Sequence, residues 1–137
     1  MMGYQNKAGQ YRTMSSYGLV AEATPERLIQ ISLEGILTHL ATAQGCMARI
    51  RDNMPLVDVV AKGQAIGKAV RLIGHLNDSL DMERGGAVAV NLRNLYLYML
   101  ERLTEANISN NPTLVGEVAD LLRRIKDGWD QIVAKQS

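Results

Sequence analysis

Residues 91–100 read NLRNLYLYML, and seven of the ten side chains are large and apolar or aromatic: Leu92, Leu95, Tyr96, Leu97, Tyr98, Met99 and Leu100. A strand would bury alternate positions. Here the apolar character continues at three- and four-residue spacing through Leu103 and Ala106, which is the period of a helix. At about 100° per residue, Leu92, Leu95, Tyr96, Met99 and Leu103 share one broad face, while Val90, Leu97 and Leu100 form a second strip well round the cylinder. A single core-facing stripe accounts for the first set alone, so the stretch reads as a helix with apolar surface to spare.

Three further helices surround it. Thr24-Pro25-Glu26 supplies a capping residue followed by proline at the first helical position, where a missing N–H costs nothing. From there Ile29, Leu33, Ile36, Leu40, Ala43, Met47 and Ile50 alternate four- and three-residue steps into a coiled-coil-like seam, the strongest pattern in the chain. Met54-Pro55 ends that helix, since the residue before proline avoids helical angles, and Asp58 is the expected cap of a second helix over roughly 59–80, with Ile66, Ala69, Ile73, Leu76 and Leu80 on its seam. Gly85-Gly86 marks the turn before the third helix. Asn111-Pro112 repeats the cap-then-proline signal, and Leu114, Val118, Leu121, Ile125, Trp129 and Ile132 line the fourth. Four helices of similar length with short connections predict an all-α fold, an antiparallel four-helix bundle over residues 24–137. Residues 1–23 form an N-terminal arm or short extra helix, with Tyr4, Tyr11 and Tyr17 set among Gly, Ser, Gln and Asn.

Composition narrows the function. The 137 residues make one domain, and a net charge of +1 gives no global field toward nucleic acid or an anionic membrane. A single cysteine forms no internal disulfide, the N-terminus carries only Lys7 with no apolar run behind it, and no stretch suits membrane insertion, so the cytoplasm is the expected compartment. A di-metal carboxylate bundle needs Glu three residues before His, yet Ile36 precedes His39 and Leu72 precedes His75. Both histidines therefore read as boundary residues. Cys46 lies late in helix 1 between Gly45 and Met47 and reads as a small packing residue. The carboxylates at Glu101 and Glu105, or Glu117 and Asp120, alternate with arginines as a solvated face does. No catalytic residue, metal or cofactor is expected, and the chain does not read as an enzyme.

The ordered set Leu80-Asp81-Met82-Glu83-Arg84-Gly85-Gly86, Asn91-Leu92, Leu95-Tyr96, Tyr98-Met99, Arg102-Leu103 and Ala106-Asn107 resembles the hallmark of the flagellar secretion chaperones, the FliS family. The likeness extends upstream through Ala23-Thr24-Pro25, Leu33-Glu34-Gly35 and Val60-Ala61-Lys62-Gly63 with Lys68-Ala69. Downstream it takes in Asn110, Glu117-Val118, Leu121-Leu122 and Gly128-Trp129, and Tyr11 matches a tyrosine that the family tends to carry in its arm. Gly67, Gly74 and Leu97 depart from the usual pattern. The resemblance implies a cytosolic export chaperone that binds the C-terminal region of flagellin, prevents premature polymerisation and aids delivery to the export gate of the flagellar type III apparatus.

Against that background the spare apolar surface acquires expected roles. Val90 and Leu97 are expected to contact flagellin. Leu100 fits a client contact and a wide core-facing arc equally well. Gly63, Gly67 and Gly74 lie along one line with Val70 at its edge, a smooth strip that seats either another helix of the bundle or a client helix. The arm, through Tyr11 and Tyr17, is expected to cover an apolar groove or to dock at the export gate. A self-associating bundle, with the apolar strip paired to a second copy as a homo-oligomer, remains the alternative of a different class.

Overall fold

The computed structural model describes residues 24–53 and 55–136, so the expected arm with Tyr11 and Tyr17 lies outside the described residues. Four helices follow one another: α1 Pro25–Asn53, α2 Leu56–Asp78, α3 Met82–Ser109 and α4 Pro112–Lys135. Helix α1 packs on α2 and α4, and α3 closes the ring by packing on the same two neighbours. Contacts across the seams set the directions. Thr24 at the start of α1 meets Gln136 just past α4, Arg49 late in α1 meets Asp58 early in α2, and Lys62 early in α2 meets Asn107 late in α3. Neighbours therefore run antiparallel, and the expected all-α bundle is what forms.

The α1 seam is as regular in space as in sequence. Leu33, Ile36, Leu40, Ala43, Met47 and Ile50 are buried, Cys46 joins them, and Ile29 packs against the cluster at its edge. Tyr96, Met99, Leu103 and Ala106 enter the same core from α3. Helix α4 is rotated by about one residue from its expected seam: Val115, Val118, Ala119 and Leu122 are buried, whereas Leu114, Leu121, Ile125 and Trp129 lie at the edge and Ile132 is exposed. Two adjacent apolar lines run along α4, and the one that includes the smaller Val115 and Ala119 is the one that is buried.

Helix starts differ from expectation in two places. Helix α2 begins at Leu56, with Pro55 in an extended conformation as the capping residue and no side-chain cap bond. Asp58 lies inside the first turn, where its carboxylate is drawn across the corner to the Arg49 guanidinium at 2.7 Å. Leu80 consequently sits in the connection rather than on α2, packed against the core edge. Helix α3 begins at Met82, ahead of the glycine pair, with the Asp81 side chain capping the amides of Glu83 and Arg84; Gly86 is a kink inside it, at φ 55° and ψ −136°. The expected turn at Gly85-Gly86 is thus a bend between one helical turn and the long body of α3.

Candidate functional site

The residues singled out on α2 and α3 meet along one outer face of the bundle. On α2 the buried side is Lys62, Ala65, Ile66, Ala69, Ile73 and Leu76. Rotating away from it on the α3 flank come Val70 and then the glycines, all half-buried. On α3, Tyr98 reaches Glu117 of α4 and so marks the α4 flank, which places Leu100 and Leu97 on the opposite, α2 side. Val70 and Leu100 both pack against the core edge, between the helices. Beyond them Leu97 and Val90 stand 45% and 46% exposed. Of the two expectations for Leu100, the structure therefore favours the wide core-facing arc, while Val90 and Leu97 stay exposed among the described residues.

The glycines do not seat a helix of the bundle. A Cβ on Gly67 would lie nearest Arg71 Nη1 of its own helix, at 3.7 Å, and one on Gly63 or Gly74 would meet nothing within 4 Å among the described residues. The internal-packing reading of this strip is corrected accordingly. What remains is a smooth exterior. The Lys62–Asn107 contact fixes the antiparallel register, so that Gly67 comes level with about Arg102 and Gly74 with about Leu95, and Leu97 and Leu100 fall between them.

This surface is longer than the sequence reading made it. Leu56, Val60, Gly63, Gly67, Val70 and Gly74 follow one another in alternating four- and three-residue steps, a single line along α2 about 27 Å long at the rise of an α-helix. Leu56 is 77% and Val60 48% exposed. On α3 the line through Val90 and Leu97 continues by Glu101 and Thr104 to Ile108, which is 82% exposed. Leu56 and Ile108 escaped notice because α2 was expected to start later and the apolar periodicity of α3 was followed only to Ala106. The heptad spacing of Leu56, Gly63 and Val70 was the available signal. The α2 line bears no charged side chain, which suits an apolar partner helix rather than a charged ligand.

One polar fastening closes this seam at its far end. Lys62 is buried, and its ammonium donates to the Asn107 carbonyl at 2.9 Å and to Asn110 Oδ1 at 3.4 Å. Asn110 holds the left-handed conformation that ends α3, and its amide donates to the Met47 carbonyl of α1 at 3.4 Å. Three helices are thus tied together, with a cation placed against the electronegative C-terminus of α3. Sequence reasoning met Lys62 only within the family-like string Val60-Ala61-Lys62-Gly63 and gave it no structural part, although it falls in step with Ile66, Ala69, Ile73 and Leu76.

The α1–α4 seam is built differently. Gln136 joins Thr24 and Glu26, Gln30 donates to Asp130, Lys126 lies 3.9 Å from Glu34 and 2.9 Å from Asp130, and Gln44 donates to the Pro112 carbonyl. The Gln30 amide, then Lys126, hold the Asp130 carboxyl below its ordinary range, and Asp130 in turn raises the Lys126 ammonium. The histidines belong to neither seam's chemistry. His39 is half-buried and shifted down first by burial and then by Lys68 and Arg71, and His75 is exposed. Cys46 is buried, accepting a contact from Arg49 Nη2 at 3.5 Å. Among the described residues no three His, Cys, Asp or Glu side chains gather as a metal site, and no helix is long and apolar enough to cross a membrane.

Residues 5–136 match the family described as Flagellar protein FliS. The chain is 47% identical over 123 residues to the flagellar secretion chaperone FliSB of Pseudomonas aeruginosa, covering 90% of this chain and 92% of that protein. It is 38% identical over 128 residues to the flagellar secretion chaperone FliS of Salmonella typhimurium, covering 93% and 90%. To its counterpart in Bacillus subtilis it is 28% identical over 135 residues, covering 98% and 92%.

Proposed function

The chain belongs to the flagellar protein FliS family, and from that membership we propose that it is a cytoplasmic export chaperone whose client is flagellin. In this reading it holds the C-terminal region of flagellin, keeps subunits from polymerising early and brings them to the flagellar export gate. The observation that carries it is the uncharged line Leu56, Val60, Gly63, Gly67, Val70 and Gly74 on α2 beside exposed Val90, Leu97 and Ile108 on α3. A client that polymerises through amphipathic helices needs its apolar stripes covered while it is a monomer. A long glycine-floored face can cover one such stripe without distorting the bundle beneath it. Binding of this kind needs no bond-making chemistry.

The arm completes the proposal: Tyr11 and Tyr17 either cover the client face or dock at the gate. Deleting residues 1–16 should tighten client binding if covering is the role, by the inverse of the fraction of time the face is open. Unchanged affinity would rule out the cover and leave the docking role to be tested.

Leu97→Glu tests the client face itself. Titrated with a fragment spanning the flagellin C-terminal region, the variant should bind about tenfold or more weakly, the effect of losing one anchor side chain at the centre of an interface, with its circular dichroism unchanged. A folded variant that binds at full affinity would remove this face from the proposal. Concentration-dependent sedimentation of the wild type, abolished by the same substitution, would assign the face to a second copy instead.

A further inference from the structure

The first turn of α3 stands apart from the body of that helix. The Asp81 carboxylate accepts from the amides of Glu83 at 3.2 Å and Arg84 at 3.1 Å, and the Gly85 amide donates to the Asp81 carbonyl at 2.8 Å. The Arg84–Asp81 ion pair, at 3.7 Å, is internal too. Among the described residues, then, the side-chain hydrogen bonds and the ion pair of this turn close on the turn itself, and every residue from Asp81 to Val88 is exposed. A segment so weakly tied to its surroundings opens at low free-energy cost.

Its two glycines do different work. Gly86, at φ 55° and ψ −136°, takes a backbone conformation that side-chain-bearing residues rarely adopt, and so bends the chain. The bend brings Gly85 down on Ala89, a buried residue. A Cβ on Gly85 would fall 2.5 Å from the Ala89 Cβ, where side chains four residues apart on a straight helix stand about 5–6 Å apart. Gly85 is therefore the seat and Gly86 the bend. Beside the seat lies an apolar pocket of about 330 Å³, walled by Leu76, Leu80, Leu92 and Trp129 and rimmed by Arg84 and Gly85.

We infer that Met82–Gly85 is a lid, hinged at Gly86 and seated on Ala89 through the absent Gly85 side chain, that opens and closes the apolar pocket at the Trp129 end of the bundle. Return of Gly86 to helical angles straightens the chain, carries the turn off Ala89 and extends α3 toward its N-terminus. The pocket walls, already half-exposed at Leu80, Leu92 and Trp129, then meet solvent more fully. The bundle thereby has two states at this end that differ in exposed apolar surface, without any change in the core around Leu40 and Leu103.

Trp129 is the single tryptophan of the chain and lines the pocket, so it reports the lid directly. Gly85→Ala props the turn off its seat and should raise acrylamide quenching of Trp129 about twofold or more with helix content unchanged; adding Ala89→Gly, which moves the missing methyl to the other side of the contact, should restore wild-type quenching. Wild-type quenching in Gly85→Ala, or a rise that Ala89→Gly does not reverse, would overturn the lid. Hydrogen exchange of the wild type decides the matter if the single variant does not fold. The amides of Gly85–Val88 should exchange roughly tenfold or more faster than those of Met99–Leu103, and equal protection would overturn the proposal.

Discussion

Two seams of the same bundle are finished in opposite ways. Between α1 and α4, polar side chains join the helices along the rim, from Thr24 with Gln136, through Gln30 with Asp130, to Gln44 with Pro112. Between α2 and α3, the polar joint at Lys62 closes one end, the α2 rim is glycine and aliphatic, and the α3 rim carries Glu101 and Thr104 among Val90, Leu97 and Ile108. Both seams sit over the same core. The difference lies in what each outer face suits: a rim of amides and ion pairs suits water, and the uncharged line along α2 suits another apolar surface.

The core beneath both seams should dominate stability. Leu40 is fully buried, and Leu40→Ala should cost about 2–5 kcal/mol in chemical denaturation, the range for buried large-to-small changes. A loss that small-residue repacking reduces to near zero would mean that the seams, rather than the core, hold the helices together. The Lys62 fastening comes next. Lys62→Met keeps the aliphatic stem but leaves half-buried acceptors at the end of α3 unpaired, and should cost about 0.5–1.5 kcal/mol. Amides of the last turn of α3 should lose protection before those of α1, and uniform loss would deny the joint a local role.

Gly67→Ala sharpens the contrast from the other side. With only Arg71 near its new methyl, it should stabilise the free protein by about 0.5–1 kcal/mol through helix propensity alone. Destabilisation would show that another helix does pack there. The smallest effect belongs to the polar seam. The Asp130 carboxyl is held below its ordinary value by Gln30 and then Lys126, so its contribution is present above the unfolded value and lost as pH falls through the folded one. The thermal midpoint should drop as the solution is acidified through the carboxylate range, and Asp130→Asn should flatten part of that drop. An identical pH profile in the variant would remove Asp130 from the account.

The sequence conveyed these features unequally. The α1 seam was legible because its three- and four-residue steps run unbroken from Ile29 to Ile50, and the apolar residues beside it, Leu28, Leu37 and Cys46, form no second line of that length. Helix α4 offers Leu121 beside Leu122 and Leu114 beside Val115, two lines one residue apart, and only the width of the space between neighbours decides between them. In NLRNLYLYML the split of Tyr96 and Met99 inward and Leu97 outward followed from the period. The placement of Leu100 depended on how closely α2 approaches, which no local pattern encodes. The glycines of α2 were visible, but whether a helix lies on them is a fact about the other helices. Lys62 was hidden by its charge, since a lysine in an apolar line looks like an interruption until its acceptors are known.

The Lys62 joint also sets a chemical reactivity. An amine-acylating reagent attacks the neutral, accessible amine, and the Lys62 nitrogen is buried and engaged by two oxygens. Lys68 and Lys135 are exposed. Under pulse labelling read by mass spectrometry, acylation of Lys62 becomes a clock for how often that end of the bundle comes apart, and a partner lying along Leu56, Val60 and Ile108 would slow the clock without touching the amine itself.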